Sequence, residues 1–209
     1  MRRRALLAGV LAAPAVHAQG TYPDRPIRLV IPWPPGGTND IIGRLVTEGM
    51  AARLGQPMVI ENRGGAGGML GADIVAKAPA DGYTLVLGGS GSLTITSLVQ
   101  ARVPYDVATA FAPIGMMGLG PNVIVVHPSV PATTLKELQA VAKAARPALS
   151  YASPGVGSTG HAAGAMIAQA LEVEMDHIPY RGTGPALNDV LAGRVPVFTN
   201  ALAPMLPHV

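Results

Sequence analysis

The feature that most constrains this chain is a repeated alternation: a short apolar run, a turn rich in glycine or proline, then a stretch with helical spacing. Ile27 to Ile31 reads as a strand and leads into the turn-rich loop Pro32 to Gly37. Asn39 is placed to cap a helix running to about Leu54, with Ile42, Val46 and Met50 on one face and Gly55 as its stop. Met58 to Ile60 is a second strand, Gly64 to Gly68 a glycine loop, and Met69 to Ala78 a helix. Asp81-Gly82 then turns the chain into the strand Tyr83 to Leu87. Strands that alternate with helices imply parallel-type sheets covered by helices, an α/β fold.

A second run of the same kind begins near Pro113. Val123 to Val126 is a strand of β-branched residues, and Thr134-Leu135-Lys136-Glu137 is a capping box at the head of a helix ending near Arg146-Pro147. Leu149 to Ala152 is a short strand, followed by the loop Ser153 to Gly157 and a small-residue helix from Ser158 to about Leu171. Met175 to Ile178 is a strand, Pro185 to Ala192 a helix stopped by Gly193, and Val195 to Phe198 a last strand. The region around Pro104-Tyr105-Asp106 is the expected boundary, giving a first α/β lobe over 19–104 and a second over 105–209. Ala201 to Val209 holds two prolines and is expected to form no element of any length, so the sequence reads as unfinished.

The N-terminus has a different character. Arg2, Arg3 and Arg4 precede an apolar stretch from Ala5 to Val16, and Val16-His17-Ala18 has a small-residue exit before Gln19. That layout is a secretory signal peptide over residues 1–18, suited to the Sec or the twin-arginine route, and it predicts a periplasmic location. Its apolar middle is too short to span a bilayer. The leader also decides the charge argument. The chain carries 15 Lys+Arg and 12 Asp+Glu; losing three leader arginines and no acid leaves 12 of each. No other basic cluster exists, so nothing points to nucleic acid. There is no cysteine, which removes disulfides, thiolate metal sites and cysteine nucleophiles. No metal site and no cofactor are expected.

Three loops stand out, each following a strand, and the first and third also stand at the head of a helix. They are Pro32 to Asp40, Gly88 to Ser92, and Ser153 to His161. In open α/β sheets, ligands sit beyond the carboxyl ends of strands, where helix N-termini and free amides favour an anion. The same loops would also serve as turns and caps alone. Enzyme motifs fail on spacing. Neither Val156-Gly157-Ser158-Thr159-Gly160 nor Gly88-Gly89-Ser90-Gly91-Ser92 is a nucleophile elbow, and no Gly-Lys pair exists for a P-loop. Ala66-Gly67-Gly68-Met69-Leu70-Gly71 lacks the first glycine of a dinucleotide loop. A serine hydrolase using Ser158 and His161, spaced i,i+3, remains the rival reading, with no orienting third group in view. His127 and His177 lack zinc spacing. Trp33 lines a cleft or fills the core, and Arg63 and Arg181 bind an anion or brace their loops.

As a set, Tyr22-Pro23-Asp24-Arg25-Pro26-Ile27-Arg28, Pro32-Trp33-Pro34-Pro35-Gly36-Gly37-Thr38-Asn39-Asp40 and Glu61-Asn62-Arg63-Gly64-Gly65-Ala66-Gly67-Gly68 resemble the Bug family of tripartite tricarboxylate transporter receptors. Ala80-Asp81-Gly82-Tyr83-Thr84-Leu85, Pro104-Tyr105-Asp106, the Ser153–His161 run and His177-Ile178-Pro179-Tyr180-Arg181-Gly182 continue the resemblance in order. It implies a two-lobed, flytrap-like periplasmic solute receptor, not an enzyme, that binds a small carboxylate and meets membrane transporter subunits. A sensor subunit presenting its ligand to a membrane kinase is the other role it allows. The implied ligand-binding residues are Trp33, Pro35, Gly36, Gly37, Thr38 and Asp40 on one wall. Gly157, Ser158, Thr159 and His161 form the other, with Ser90, Gly91, Ser92 and Thr199 added. Family chains continue past the point matching Val209, and the returning segment completes the first lobe, so the C-terminal part is expected to be missing here.

Overall fold

A computed structural model describes residues 21–209; the leader expected over 1–18 lies outside them. Two sheets form. In the first, β1 (Ile27–Ile31) lies between β2 (Met58–Asn62) and β3 (Thr84–Val86), all parallel. Ile27, Leu29, Val30 and Ile31 of β1 are buried, which fits a central strand covered on both faces. Helix α1 (Thr38–Leu54) joins β1 to β2, and α2 (Met69–Ala76) joins β2 to β3. A helix resting on β1 needs close approach: a Cβ at Gly43 of α1 would lie 2.7 Å from Ile31 Cδ1. After β3 the chain makes a π-helical turn over Gly91–Ile95 and the short α3 (Thr96–Val99), where the sequence suggested only a loop.

The second sheet has the order β4-β7-β5-β6, built from β4 (Asn122–Val126), β5 (Leu149–Ser153), β6 (Met175–Pro179) and β7 (Val197–Ala201). β5 is parallel to β6 and β7, while β4 pairs with β7 antiparallel, a direction that strand–helix alternation does not reveal. Alternation along each strand splits the core in two. Tyr151 and Val197 face α4 (Leu135–Ala144) and pack with Val130 and Leu138. Ala152 and Phe198 face the other way, toward Ala186 and Val190 of α6 (Thr183–Leu191). Met205, in the expected irregular tail, is buried in this second cluster, and Leu206–His208 forms a 3-10 turn.

Helix α5 (Thr159–Ala170) approaches the sheet through two glycines. A Cβ at Gly164 would lie 2.1 Å from the Tyr151 ring, and one at Gly160 would lie 2.2 Å from the Thr199 carbonyl. Thr199 Oγ1 donates to the Gly160 carbonyl at 2.7 Å, which fixes α5 on β7. The capping box at α4 forms as its sequence requires, with Thr134 Oγ1 accepting from Glu137 N–H and Glu137 accepting from Thr134 N–H. Asn39, by contrast, does not cap α1. Gly37 holds that position without a side-chain bond, and Asn39 Nδ2 donates across to the Leu87 carbonyl at 3.4 Å. Helix α6 begins at Thr183, two residues before the expected Pro185, since a proline is tolerated within a first turn whose N–H groups have no helical partner.

Candidate functional site

Three helix N-termini meet at one cavity. The loop Pro32–Gly37 leaves the end of β1 and starts α1; the loop Pro154–Ser158 leaves β5 and starts α5; Tyr180–Gly182 leaves β6 and starts α6. Where they meet, the loops nearly touch. A Cβ at Gly37 would lie 3.6 Å from Thr183 Oγ1, and one at Gly91 would lie 3.5 Å from Ser158 Cα and 3.3 Å from the Gly157 carbonyl. A side chain at Gly37 would only reach ordinary contact distance, while one at Gly91 would crowd Trp33 and the Gly157 carbonyl. At Gly67, with φ of +68°, a Cβ would stand 2.5 Å from the Val156 carbonyl, so the glycine loop abuts the same region from behind.

The cavity has a volume of about 1420 Å³ and runs from these helix heads along β3 and the inner face of α1. Its polar end holds Thr38, Asn39, Ser90, Ser158, Thr159, Thr183 and Asn200, and no residue of its lining is ionisable. The Thr38 hydroxyl, at the first turn of α1, is buried with no hydrogen-bond partner. A neutral wall of hydroxyls, amides and positive helix ends stabilises an anion through N–H and O–H donors without a cationic side chain.

The individual placements divide the expected residues. Trp33, Gly37, Thr38, Ser90, Gly91, Ser158 and Thr159 line the cavity. Pro35, Gly36, Asp40, Ser92, Gly157, His161 and Thr199 do not. Asp40 is buried and braces the loop instead: it accepts from Gly36 N–H at 3.0 Å, Arg44 Nε at 3.0 Å and Asn62 Nδ2 at 2.9 Å. Burial alone would raise its pKa, but Arg44, Gly36 N–H and Asn62 outweigh that and hold the carboxyl below its ordinary range. Ser92, fully buried, closes its own turn by accepting from Gly89 N–H at 3.2 Å. Thr199 is spent on α5, as above. Gly36 and Pro35 are exposed on the outer side of their loop.

Thr183 is a wall residue that motif reading missed, and Asn200 lies next to Thr199, in the stretch expected to add to the cleft. Asn200 Nδ2 donates to Thr183 Oγ1 at 3.1 Å, and both are buried. The signal was present in Tyr180-Arg181-Gly182, a loop that leaves a strand just before a helix, like the other two. Ser158 caps α5 by accepting from His161 N–H at 3.1 Å, which leaves its hydroxyl hydrogen free for the cavity. The imidazole of His161 does not reach that hydroxyl; its Nδ1 faces Gly157 N–H at 3.4 Å, and the ring stacks on His177. Arg63 pairs with Glu61, as a loop brace. Among the described residues no helix is long and apolar enough to cross a membrane.

A model of the family described as "Tripartite tricarboxylate transporter family receptor" matches residues 42–209. The chain belongs to the tripartite tricarboxylate transporter receptor family. As a receptor family it sets aside the hydrolase reading of Ser158 and His161, in agreement with their geometry. The chain is 39% identical to a protein of Pseudomonas sp. strain P51 described as "UPF0065 protein in tcbD-tcbE intergenic region", over 96% of this chain and 61% of that one. To the protein BugT of Bordetella pertussis it is 36% identical, over 95% of this chain and 61% of the relative. This receptor family member therefore spans about three-fifths of the length of these relatives. Similar solved structures include R. palustris Rpa4515 with adipate, at 36% identity and a TM-score of 0.86 over 89% of this chain and 62% of that one. MatC (Rpa3494) from Rhodopseudomonas palustris with bound malate follows at 31% identity, with a TM-score of 0.82 over 89% of this chain and 63% of that one. The α/β fold of periplasmic binding proteins, here with one parallel sheet and one mostly parallel sheet, is thus the fold of this chain.

Proposed function

We propose that this chain captures a small carboxylate, in the periplasm, between the two sheets and on behalf of a tripartite membrane transporter. One observation carries the reading: the unpartnered Thr38 hydroxyl at the head of α1, in a cavity where α5 and α6 also begin and whose lining holds no charge of either sign. An orphaned buried hydroxyl costs free energy, and a carboxylate oxygen accepting from it and from the first-turn amides would offset that cost. Rpa4515 with adipate and MatC with malate supply the class, linear carboxylates with two anionic ends. The two-lobe division near Pro104 belongs to the same proposal: β1 to β3 lie before it, β4 to β7 after it, and the cavity draws on both sides.

Calorimetric titration with adipate, malate and tricarboxylates tests the reading directly. Ser158→Ala and Thr38→Val should each weaken binding of the preferred ligand by about 1–3 kcal/mol, the cost of leaving one buried partner unmatched. No heat from any carboxylate, with amino acids or neutral sugars binding instead, would refute the ligand class.

A further inference from the structure

The loop that presents Ser158 rests on two stacked histidines. His161, in the first turn of α5, lies on His177 of β6 with ring centroids 4.2 Å apart at 24°. Tyr151 of β5 lies against the other face of His177 at 5.0 Å. Each imidazole holds the loop at a different point. His161 Nδ1 faces the N–H of Gly157 at 3.4 Å. His177 Nε2 meets the fully buried Ser153 Oγ at 2.6 Å, and that same oxygen accepts from Gly155 N–H at 3.1 Å. Gly155 and Gly157 flank Val156 and lead into Ser158, so the segment is pinned at both ends by one aromatic stack.

The pinning works with neutral rings. When Nε2 of His177 carries no hydrogen, Ser153 donates to it while accepting from Gly155, and every hydrogen has one place to go. A proton on Nε2 makes it a second donor toward Ser153. The serine hydrogen must then turn to the Gly155 carbonyl, 3.4 Å away, at the limit of a hydrogen bond. A proton on His161 Nδ1 would oppose the Gly157 N–H donor directly. Either charge would also sit beside the positive end of α5 and against the other ring.

The surroundings offer no compensation. Helix α5 carries no charged residue, and neither does β5 or β7. On β6, Asp176 alternates to the opposite face and is exposed, as is Glu174 before the strand. On α4, Leu138 is buried toward the sheet while Lys136 and Lys143 are exposed. The remaining titratable neighbour is Tyr151, whose burial raises its pKa and keeps it neutral. Burial, then repulsion from His161, lowers His177 to about 4, and burial lowers His161 below its ordinary value.

We propose that His161 and His177 are positioning residues for the carboxylate site: as an uncharged stacked pair they hold Gly155–Ser158 in its binding geometry, and protonation of the pair releases it. This rests on the reading of that loop as a ligand wall. It makes capture acid-sensitive through the protein and not only through the ligand. A periplasmic receptor, which shares the pH of its surroundings, would then let go of its ligand in acid.

The test compares wild type with His177→Gln, which can still bond Ser153 but does not titrate, and with His177→Phe, which keeps the stack but loses that bond. Adipate and malate are the probes, because ligand protonation cancels in the ratio of wild type to variant. At neutral pH His177→Gln should bind within about threefold of wild type and His177→Phe several-fold more weakly, since only the former retains the Ser153 contact. Between pH about 7.5 and pH about 4 the wild type should lose up to about twofold in affinity beyond what His177→Gln loses, the limit for a group half protonated at about 4, and more below that pH. Amide exchange of Gly155 to Ser158 in ligand-free protein reads the same event without a ligand: protection, at Gly155 above all, should fall further with acid in wild type than in His177→Gln, where only His161 still titrates. Should neither probe bind at neutral pH while the exchange behaves as stated, the carboxylate reading fails and the positioning role stands. Parallel wild-type and His177→Gln exchange profiles across that range would overturn the positioning role.

Discussion

At the scale of single residues, the cavity depends on side chains that do not line it. Asp40 is the clearest case. Its position in the Pro32–Asp40 run suggests a direct contact, yet all its acceptor capacity is spent on Gly36 N–H, Arg44 and Asn62. Asn62 in turn donates to the Trp33 carbonyl at 3.1 Å, so one buried carboxylate fixes both ends of the loop before α1. Asp40→Ala should therefore destabilise the protein by about 1–3 kcal/mol through groups left unpaired, measured by urea unfolding. Because partners hold the Asp40 carboxyl below its ordinary range, the folded state binds fewer protons there than the unfolded state. That contribution is present above the unfolded carboxylate pKa and is lost as pH falls through the folded value. The acid sensitivity of Asp40→Asn should accordingly be smaller than that of wild type. Unfolding midpoints that shift equally with acid in both proteins would show that Asp40 is not the brace described.

At the scale of elements, the parts with local causes were legible. Thr134 and Glu137 form their capping box because both halves of the motif lie within four residues, and Thr134→Ala should cost α4 about 1 kcal/mol in thermal unfolding. Gly55 stops α1 in a left-handed conformation with its N–H bonded to the Ala51 carbonyl, again a local matter. Two of the three loops that start helices at the cavity, Pro32–Gly37 and Pro154–Ser158, were legible for a similar reason, since each joins a strand to a helix. What sequence could not give were features set by distant partners. The antiparallel direction of β4 is fixed by β7, more than seventy positions later, and no local pattern encodes it. Which face of a loop meets the cavity is fixed by the segment opposite: Gly37 by Thr183, Gly91 by Ser158, Thr183 by Asn200. Hence two of the three loops were found, while half of the expected residues do not line the cavity and Thr183 was not anticipated.

At the scale of the whole molecule, the first sheet differs from the second in how it is closed. The second has Phe198 and Val197 fully buried on opposite faces, with α6 over one and α4 and α5 over the other. In the first, β3 lies at the end of the strand order with β1 on one side and no strand on the other among the described residues. The cavity continues past the polar helix heads into an apolar channel along that edge, walled by Leu85 and Leu87, by Ile42, Val46 and Met50 of α1, and by Phe111 and Met117. Beside it the extended segment 112–121 leaves Ile114, Met116 and Leu119 more than three-quarters exposed. An open parallel edge beside uncovered apolar side chains is the geometry that recruits another strand. About two-fifths of the length of each of these relatives lies outside the part that this chain matches. We therefore expect a version joined to the remaining part of a relative to unfold at higher temperature and to stay monodisperse at concentrations where residues 21–209 associate. Because closure around a ligand takes its free energy from both walls at once, carboxylate affinity should rise in the same version. Light scattering, thermal unfolding and titration on the two proteins decide the matter together. Equal monodispersity and equal affinity would mean that the β3 edge needs no cover, and that the wall built on α1 is already as firm as the wall built on α5.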